Sequence, residues 1–145
     1  MRPQPKGDDD KQELRVLVVD DDPQISVALG RLLSPFKVTF AQSAAGALGR
    51  LQVGGNFDAI LCDVHMPGMN GMEFYEEVAR ISARLARRII FITGGAASPE
   101  AAEFLERSRN MCLAKPVKRE ALKSAVRAAA AEVAEVATPG GRGRP

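Results

Sequence analysis

The chain has 145 residues, which suits one domain with its own core, and its 46% apolar and 26% charged residues are those of an ordinary water-soluble globular protein. A net charge of +2 makes no case for nucleic acid or an anionic surface as partner. No apolar run approaches the roughly 20 residues that span a bilayer, and the polar start MRPQPKGDDDKQE has no hydrophobic signal region, so a reducing cytoplasm is the default compartment.

In chain order, LRVLVV (Leu14–Val19) reads as a buried strand. PQISVALGRLLS (Pro23–Ser34) carries Ile25, Ala28, Leu29, Leu32 and Leu33 at helical spacing, one core face of an amphipathic helix. KVTFA (Lys37–Ala41) is a second strand. SAAGALGRLQVGG (Ser43–Gly55) is a helix with Ser43 as N-cap and the Gly pair as its stop, although Gly46 and Gly49 each cost up to about 1 kcal/mol relative to Ala. FDAILC (Phe57–Cys62) is the third strand, and GMEFYEEVARIS (Gly71–Ser82) a helix with Phe74, Val78 and Ile81 on one face. RIIFIT (Arg88–Thr93) is the fourth strand, followed by the short helix SPEAAEFLERS (Ser98–Ser108), capped by Ser98 with Pro99 first in the helix. MCLA (Met111–Ala114) is a short fifth strand. KREALKSAVRAAAAEVAEVA (Lys118–Ala137) is a long helix with Leu122, Ala125, Val126, Ala129, Val133 and Val136 on one side.

Five strand–helix pairs in alternation predict an α/β fold, a parallel sheet covered by helices on both faces. Continuously apolar strands fit that double cover, and the crossovers must be right-handed. One domain is expected over 14–137, with disordered tails at 1–13 and 138–145, where Pro, Gly and charge collect. Cys62 and Cys112 both lie in apolar strand runs, where a free thiol packs as a small hydrophobe, and no disulfide is expected. His65 is the one histidine, which excludes a zinc site of the His/Cys kind.

Ligands of open α/β sheets bind outside the carboxyl ends of the strands. Here the first strand ends in Asp20, Asp21 and Asp22, the third in Asp63, the fourth in Thr93 followed by Gly94 and Gly95, and the fifth in Lys115 followed by Pro116. Asp22 has a structural reading as N-cap ahead of Pro23. Asp20 and Asp21 have no such role. A carboxylate ending a buried strand is costly unless something binds it, and two about 4 Å apart repel by about 4 kcal/mol at an effective dielectric of 20. Asp63 adds to that repulsion. A divalent cation is the simplest relief, and Mg²⁺ prefers one or two carboxylates with waters and a phosphate partner. Lys115 can neutralise more. The plain alternative is that these are solvated loop acids. Thr93 and Lys115 are each weak signals alone, and the Lys115–Pro116 bond is a candidate cis peptide. His65, two residues past Asp63 in a loop, is read as offering its backbone carbonyl and shading the site with its ring.

The stretches VLVVDDDP, ILCDVHMPGMNG, FITGG and CLAKP, in that order, resemble the receiver domain of two-component response regulators over about residues 14–137. The resemblance implies a flavodoxin-like (βα)5 fold with strand order 2-1-3-4-5. It implies that Asp63 is the phosphoacceptor, that Asp20 and Asp21 are the acid pair for Mg²⁺, and that the carbonyl of His65 completes the metal site. Thr93 would be the switch hydroxyl and Lys115 the lysine that contacts the phosphoryl group. Phosphoryl transfer has a loose transition state, so a carboxylate nucleophile suffices if the transferring group is held in line and its oxygens are neutralised. By this reading Mg²⁺ takes one oxygen, Lys115 a second, and Thr93 with the backbone amide after Asp63 the third. The donor would be a phosphohistidine on a histidine kinase or phosphotransfer protein. The output would be a repacked surface of the fourth helix, fifth strand and last helix that alters binding of a downstream protein. The chain would act as a monomer or weak dimer, without an output domain of its own, catalysing only its own phosphorylation and dephosphorylation.

Two features depart from the family pattern. Cys112 stands three residues before the lysine, where an aromatic is common, so either the switch is weaker or Phe91 or Phe104 fills the space. Val117 follows Pro116 where Phe is frequent. Gly95 leaves the phosphoryl group open to water, whereas His65 partly covers it. Two other readings compete. A Mg²⁺-dependent phosphohydrolase with a nucleophilic Asp would carry a second acid two residues later, where this chain has His65. A pseudo-receiver that only binds proteins would have no need of the acid, Thr and Lys set.

Overall fold

The structure is a computed structural model that describes residues 14–94 and 98–137, the last six of these by their backbone alone. The expectations for both tails, for Gly95, and for the side chains of Val133 and Val136 lie outside the described residues.

The elements follow in the order β1 (Arg15–Val19), α1 (Pro23–Leu33), β2 (Lys37–Ala41), α2 (Ala44–Gln52), β3 (Ala59–Asp63), α3 (Gly71–Ile81), α4 (Ala83–Arg87), β4 (Ile89–Thr93), α5 (Pro99–Ser108), β5 (Cys112–Ala114) and α6 (Arg119–Ala137). The five strands form one parallel sheet in the order β2-β1-β3-β4-β5. The parallel sheet is the one that the alternation predicts, and its flavodoxin-like order is the one that the resemblance implies. The strand order reverses across the sheet at the β1/β3 boundary, the place beyond whose strand ends open α/β sheets bind ligands.

Side-chain alternation along the strands divides the core into two layers. Leu17, Val19, Ile60, Cys62, Ile89 and Phe91 face one side, under α2, α3 and α5. Val16, Val18, Ala59, Leu61 and Ile90 face the other, under α1 and α6. Residue by residue, β3 and β4 are buried throughout, and burying each Leu, Ile or Phe contributes roughly 1.5–3 kcal/mol. The double cover expected for every strand fails at the edges. In β2 only Ala41 is buried, and in β5 no residue is. Each edge strand has one neighbour, so helices that straddle the central strands leave part of it open. Cys112 is exposed for this reason, not packed as a small hydrophobe, whereas Cys62 at the sheet centre is fully buried; both thiols are free.

Local signals place the helices. Asp22 caps α1 by accepting the Gln24 N–H at 2.9 Å, as its place before Pro23 predicts. Ser43 and Ser98 cap α2 and α5 in the same way, each worth about 1 kcal/mol. The helix over Gly71–Ser82 ends one residue early and is followed by α4, which the sequence reading omits. Ser82 serves both: its N–H donates to the Val78 carbonyl, and its Oγ accepts the Leu85 N–H. Ile81, at the break, is 40% exposed, not buried with Phe74 and Val78. In α6 Leu122, Ala125, Val126 and Ala129 are buried as their spacing predicts.

Candidate functional site

Strand register brings the polar strand ends together. Val19 lies beside Cys62, Asp63 beside Ile92, and Thr93 beside Ala114, so β1, β3, β4 and β5 release Asp20, Asp63, Thr93 and Lys115 at one rim. Asp20 is 2% exposed and Asp63 9%, while Asp21 is open to solvent. One carboxylate oxygen each from Asp20, Asp21 and Asp63 lies within 4.8 Å of the others. Three like charges at that spacing suit a hard divalent cation that takes oxygen ligands, and their mutual repulsion makes the cluster unfavourable without one.

The two buried acids are held by backbone groups. Asp20 donates its N–H to the Ala41 carbonyl at 3.1 Å, and its Oδ1 accepts the Asp22 N–H at 2.9 Å. The Asp63 Oδ1 accepts the His65 N–H at 2.9 Å, and its Oδ2 lies 3.5 Å from Lys115 Nζ, a long ion pair. Burial pushes the Asp20 carboxyl above its ordinary value and the charge of Asp63 adds to this, against the pull of the Asp22 N–H and Lys115. One lysine set against three carboxylates leaves the cluster short of positive charge. Beneath it, burial raises the Cys62 thiol well above its ordinary value, helped by the charges of Asp63 and Asp20, so that sulfur is inert.

Behind Asp63 the loop is pinned at both ends. The Val64 N–H donates to the Ile92 carbonyl, and the Val64 carbonyl accepts the Gly71 N–H at 3.0 Å. The amide directly after Asp63 is thus engaged in the sheet, which corrects the expectation that it faces a phosphoryl oxygen. The amide aimed at the carboxylate is that of His65. Its ring is on an exposed residue.

Gly71 starts α3 against this loop. A Cβ there would stand 2.9 Å from Val64 Cα and 3.0 Å from the Asp63 carbonyl oxygen. Only glycine lets the helix begin so close to the strand end. Asn70 and Glu73 form a reciprocal capping box that fixes the start. Gly68 turns the loop with φ +75°. The N-x-x-E spacing was a missed signal for this capping box; no such signal marks the role of Gly71 in seating the loop.

Thr93 is 8% exposed, and its carbonyl accepts the Lys115 N–H at 2.8 Å, tying the ends of β4 and β5 together. The Lys115–Pro116 bond is cis. A Cβ on Gly94 would meet Lys115 Cδ at 3.3 Å, so Gly94 leaves the path that the lysine takes to Asp63. Partial burial raises the Cys112 thiol above its ordinary value, and the nearby Thr93 hydroxyl opposes the shift. Phe104 stands edge-on to both Phe91 and Tyr75, with centroids 5.4 Å apart in each pair.

The comparisons with known proteins agree with this geometry. The family of the response regulator receiver domain matches residues 16–127. Among curated relatives, the two-component response regulator ARR2 of Arabidopsis thaliana is 35% identical over 114 residues, 77% of this chain and 17% of that protein. The sensor histidine kinase RcsC of Escherichia coli strain K12 is 30% identical over 122 residues, 81% of this chain and 12% of that protein. This chain therefore spans less than a fifth of the length of either relative. Of solved structures, a response regulator receiver domain protein from Clostridium thermocellum superposes with a TM-score of 0.73 at 25% identity, covering 85% of this chain and 98% of that one. A structure described as adenylate cyclase from Rhodopirellula baltica gives 0.75 at 29% identity, covering 86% and 92%. The chain belongs to the response regulator receiver family. Proteins of this family are signalling modules whose general function is to accept a phosphoryl group, and they typically bind Mg²⁺ in an acidic pocket and interact with histidine kinases or phosphotransfer proteins. Among the described residues no helix is long and apolar enough to cross a membrane.

Proposed function

We propose that the Asp63 carboxylate accepts the phosphoryl group of a phosphohistidine on a histidine kinase or phosphotransfer protein. A carboxylate oxygen forms the new bond to phosphorus as the P–N bond breaks, and the imidazole leaves with that electron pair. The observation that carries this reading is the convergence of Asp20, Asp21 and Asp63 within 4.8 Å, with Lys115 3.5 Å from Asp63 and no other cation paired there among the described residues.

Asp20, Asp21, Asp63 and the His65 carbonyl would hold Mg²⁺, which when bound supplies positive charge against the phosphoryl oxygens. Lys115 moves from its ion pair with Asp63 to a phosphoryl oxygen. The His65 amide, already aimed at Asp63 Oδ1, keeps the carboxylate in one rotamer. Thr93 turns its hydroxyl toward the new charge, and that movement biases the surface of α5, β5 and α6 toward a second packing. The chain works on itself and releases no product other than inorganic phosphate on hydrolysis. Residues 14–137 form the signalling domain.

The test is to incubate the protein with Mg²⁺ and a small phosphodonor such as acetyl phosphate and weigh it intact. A single acid-stable, base-labile adduct is expected, absent without Mg²⁺ and absent in Asp63→Asn. An adduct of equal yield in Asp63→Asn overturns the assignment.

A further inference from the structure

A second polar pocket lies at the opposite edge of the sheet, where β4 and β5 begin. It has a volume of about 270 Å³ and is lined by Tyr75, Arg87, Ser108, Arg109, Asn110 and Met111. Two of these are arginines and none is acidic. Among the described residues neither Arg87 nor Arg109 has a carboxylate within ion-pair distance.

The pocket is built on fixed backbone. The Asn110 side-chain amide donates to the Ala86 carbonyl at 2.9 Å and to the Ile89 carbonyl at 2.8 Å, joining the end of α5 to the end of α4. The Ser108 hydroxyl donates to the Leu105 carbonyl and accepts the Asn110 N–H. Leu105 also accepts the Arg109 N–H, so this last-turn carbonyl is occupied and does not face an incoming anion bare. Arg109 itself sits in the left-handed region at φ 63°, the helix-closing position where glycine or asparagine is usual. Tyr75 is braced by its edge-on contact with Phe104. Two arginines and a tyrosine on separate, stapled elements thus line one small concavity.

We infer that this pocket binds a small phosphomonoester. Its volume of about 270 Å³ lies just below the usual range of ligand pockets, which suits a phosphate with a short organic group. A tetrahedral dianion offers enough oxygens to engage two guanidinium forks at once, and arginine is the side chain suited to that bidentate contact. The site is remote from the aspartates and shares no residue with them, so it stands or falls apart from the phosphorylation of Asp63.

The test is an amide-resolved NMR titration of the full chain in metal-free buffer with glycerol 3-phosphate, with glycerol and malonate as controls. Saturable shifts at Ser108, Arg109, Asn110 and Met111 are expected, with none from glycerol and weaker ones from malonate. Arg87→Gln and Arg109→Gly should each weaken binding about tenfold, the size of a lost charge-assisted hydrogen bond. Glycine accepts the left-handed backbone, so Arg109→Gly keeps the fold. Arg80→Gln, which breaks the Arg80–Glu77 pair outside the pocket, should leave binding unchanged. Shifts confined to the Asp20, Asp21 and Asp63 amides, shifts that do not saturate, an equal response to malonate, or unaltered binding in both pocket variants would overturn the assignment.

Discussion

The two ends of β3 treat charge in opposite ways. At its start Asp58 accepts the Arg15 N–H at 2.9 Å, and Arg88 donates to the neighbouring Phe57 carbonyl. Burial lowers the Arg88 guanidinium from its ordinary value and the charge of Asp58 opposes that shift. Asp58 there faces Arg88, with Arg15 over the Phe57 ring and Arg84 near enough to lower Arg88 further, so opposite charges mix within the protein. At its end Asp63 meets two more acids and one lysine. An end where opposite charges mix serves stability. An unmatched end is unfavourable alone and becomes favourable only when counter-charge arrives, which makes it a binding site.

Substitutions at the unmatched end sharpen this contrast. Lys115→Ala should have the largest effect after loss of Asp63 itself. Removing the one cation aimed at the transferring group should slow adduct formation from acetyl phosphate about a hundredfold, measured as a rate at saturating Mg²⁺. Stability should change little, because the Lys115–Asp63 contact is long and the lysine is partly exposed.

Gly71→Ala should cost about 1–3 kcal/mol in urea unfolding, because its Cβ would press on backbone at 2.9 and 3.0 Å. The same change shifts the loop behind Asp63, so Mg²⁺ affinity should fall with it. Gly49→Ala, on a helix face with nothing within 4 Å, should not destabilise and serves as the control.

Asp20→Asn tests the repulsion by pH. The Asp20 carboxyl in the fold titrates above its ordinary 3.8, chiefly through burial. The folded state therefore holds its proton more tightly than the unfolded chain does, and ionised Asp20 destabilises the metal-free fold as pH rises from 3.8 through the folded value. Asp20→Asn should raise the metal-free unfolding midpoint at neutral pH, with the gain gone below 3.8. With excess Mg²⁺ the order should reverse, because the wild type gains binding energy that the variant lacks.

Cys112→Tyr is the smallest expected change. Cys112 lies on the open edge strand, where a thiol cannot act as a two-position aromatic rotor. The Tyr variant should show a larger ratio of phosphorylated to unphosphorylated affinity for a partner. An unchanged ratio removes Cys112 from the switch.

Much of this was legible in the sequence for local reasons. The buried strands announce themselves by continuous apolar runs, and the polar residue that ends each run falls at the same rim because parallel strands share direction. Caps at Asp22, Ser43 and Ser98 follow from residue type and position. What escaped depends on neighbours. The five-residue α4 is too short to show a period, and only Ser82 marks it. The exposure of Cys112 and of β2 is set by which strands end the sheet, which apolar composition does not encode. The closeness of Gly71 to Val64 and the engagement of the Val64 amide by Ile92 are contacts between elements. A string of residues does not contain them.

The most direct measurement is to trap the adduct. Borohydride reduces an aspartyl phosphate to homoserine, and peptide mapping then locates the residue. After treatment with Mg²⁺ and acetyl phosphate, homoserine is predicted at position 63 alone. Homoserine at 20 or 21, or an adduct that resists borohydride, would contradict the account.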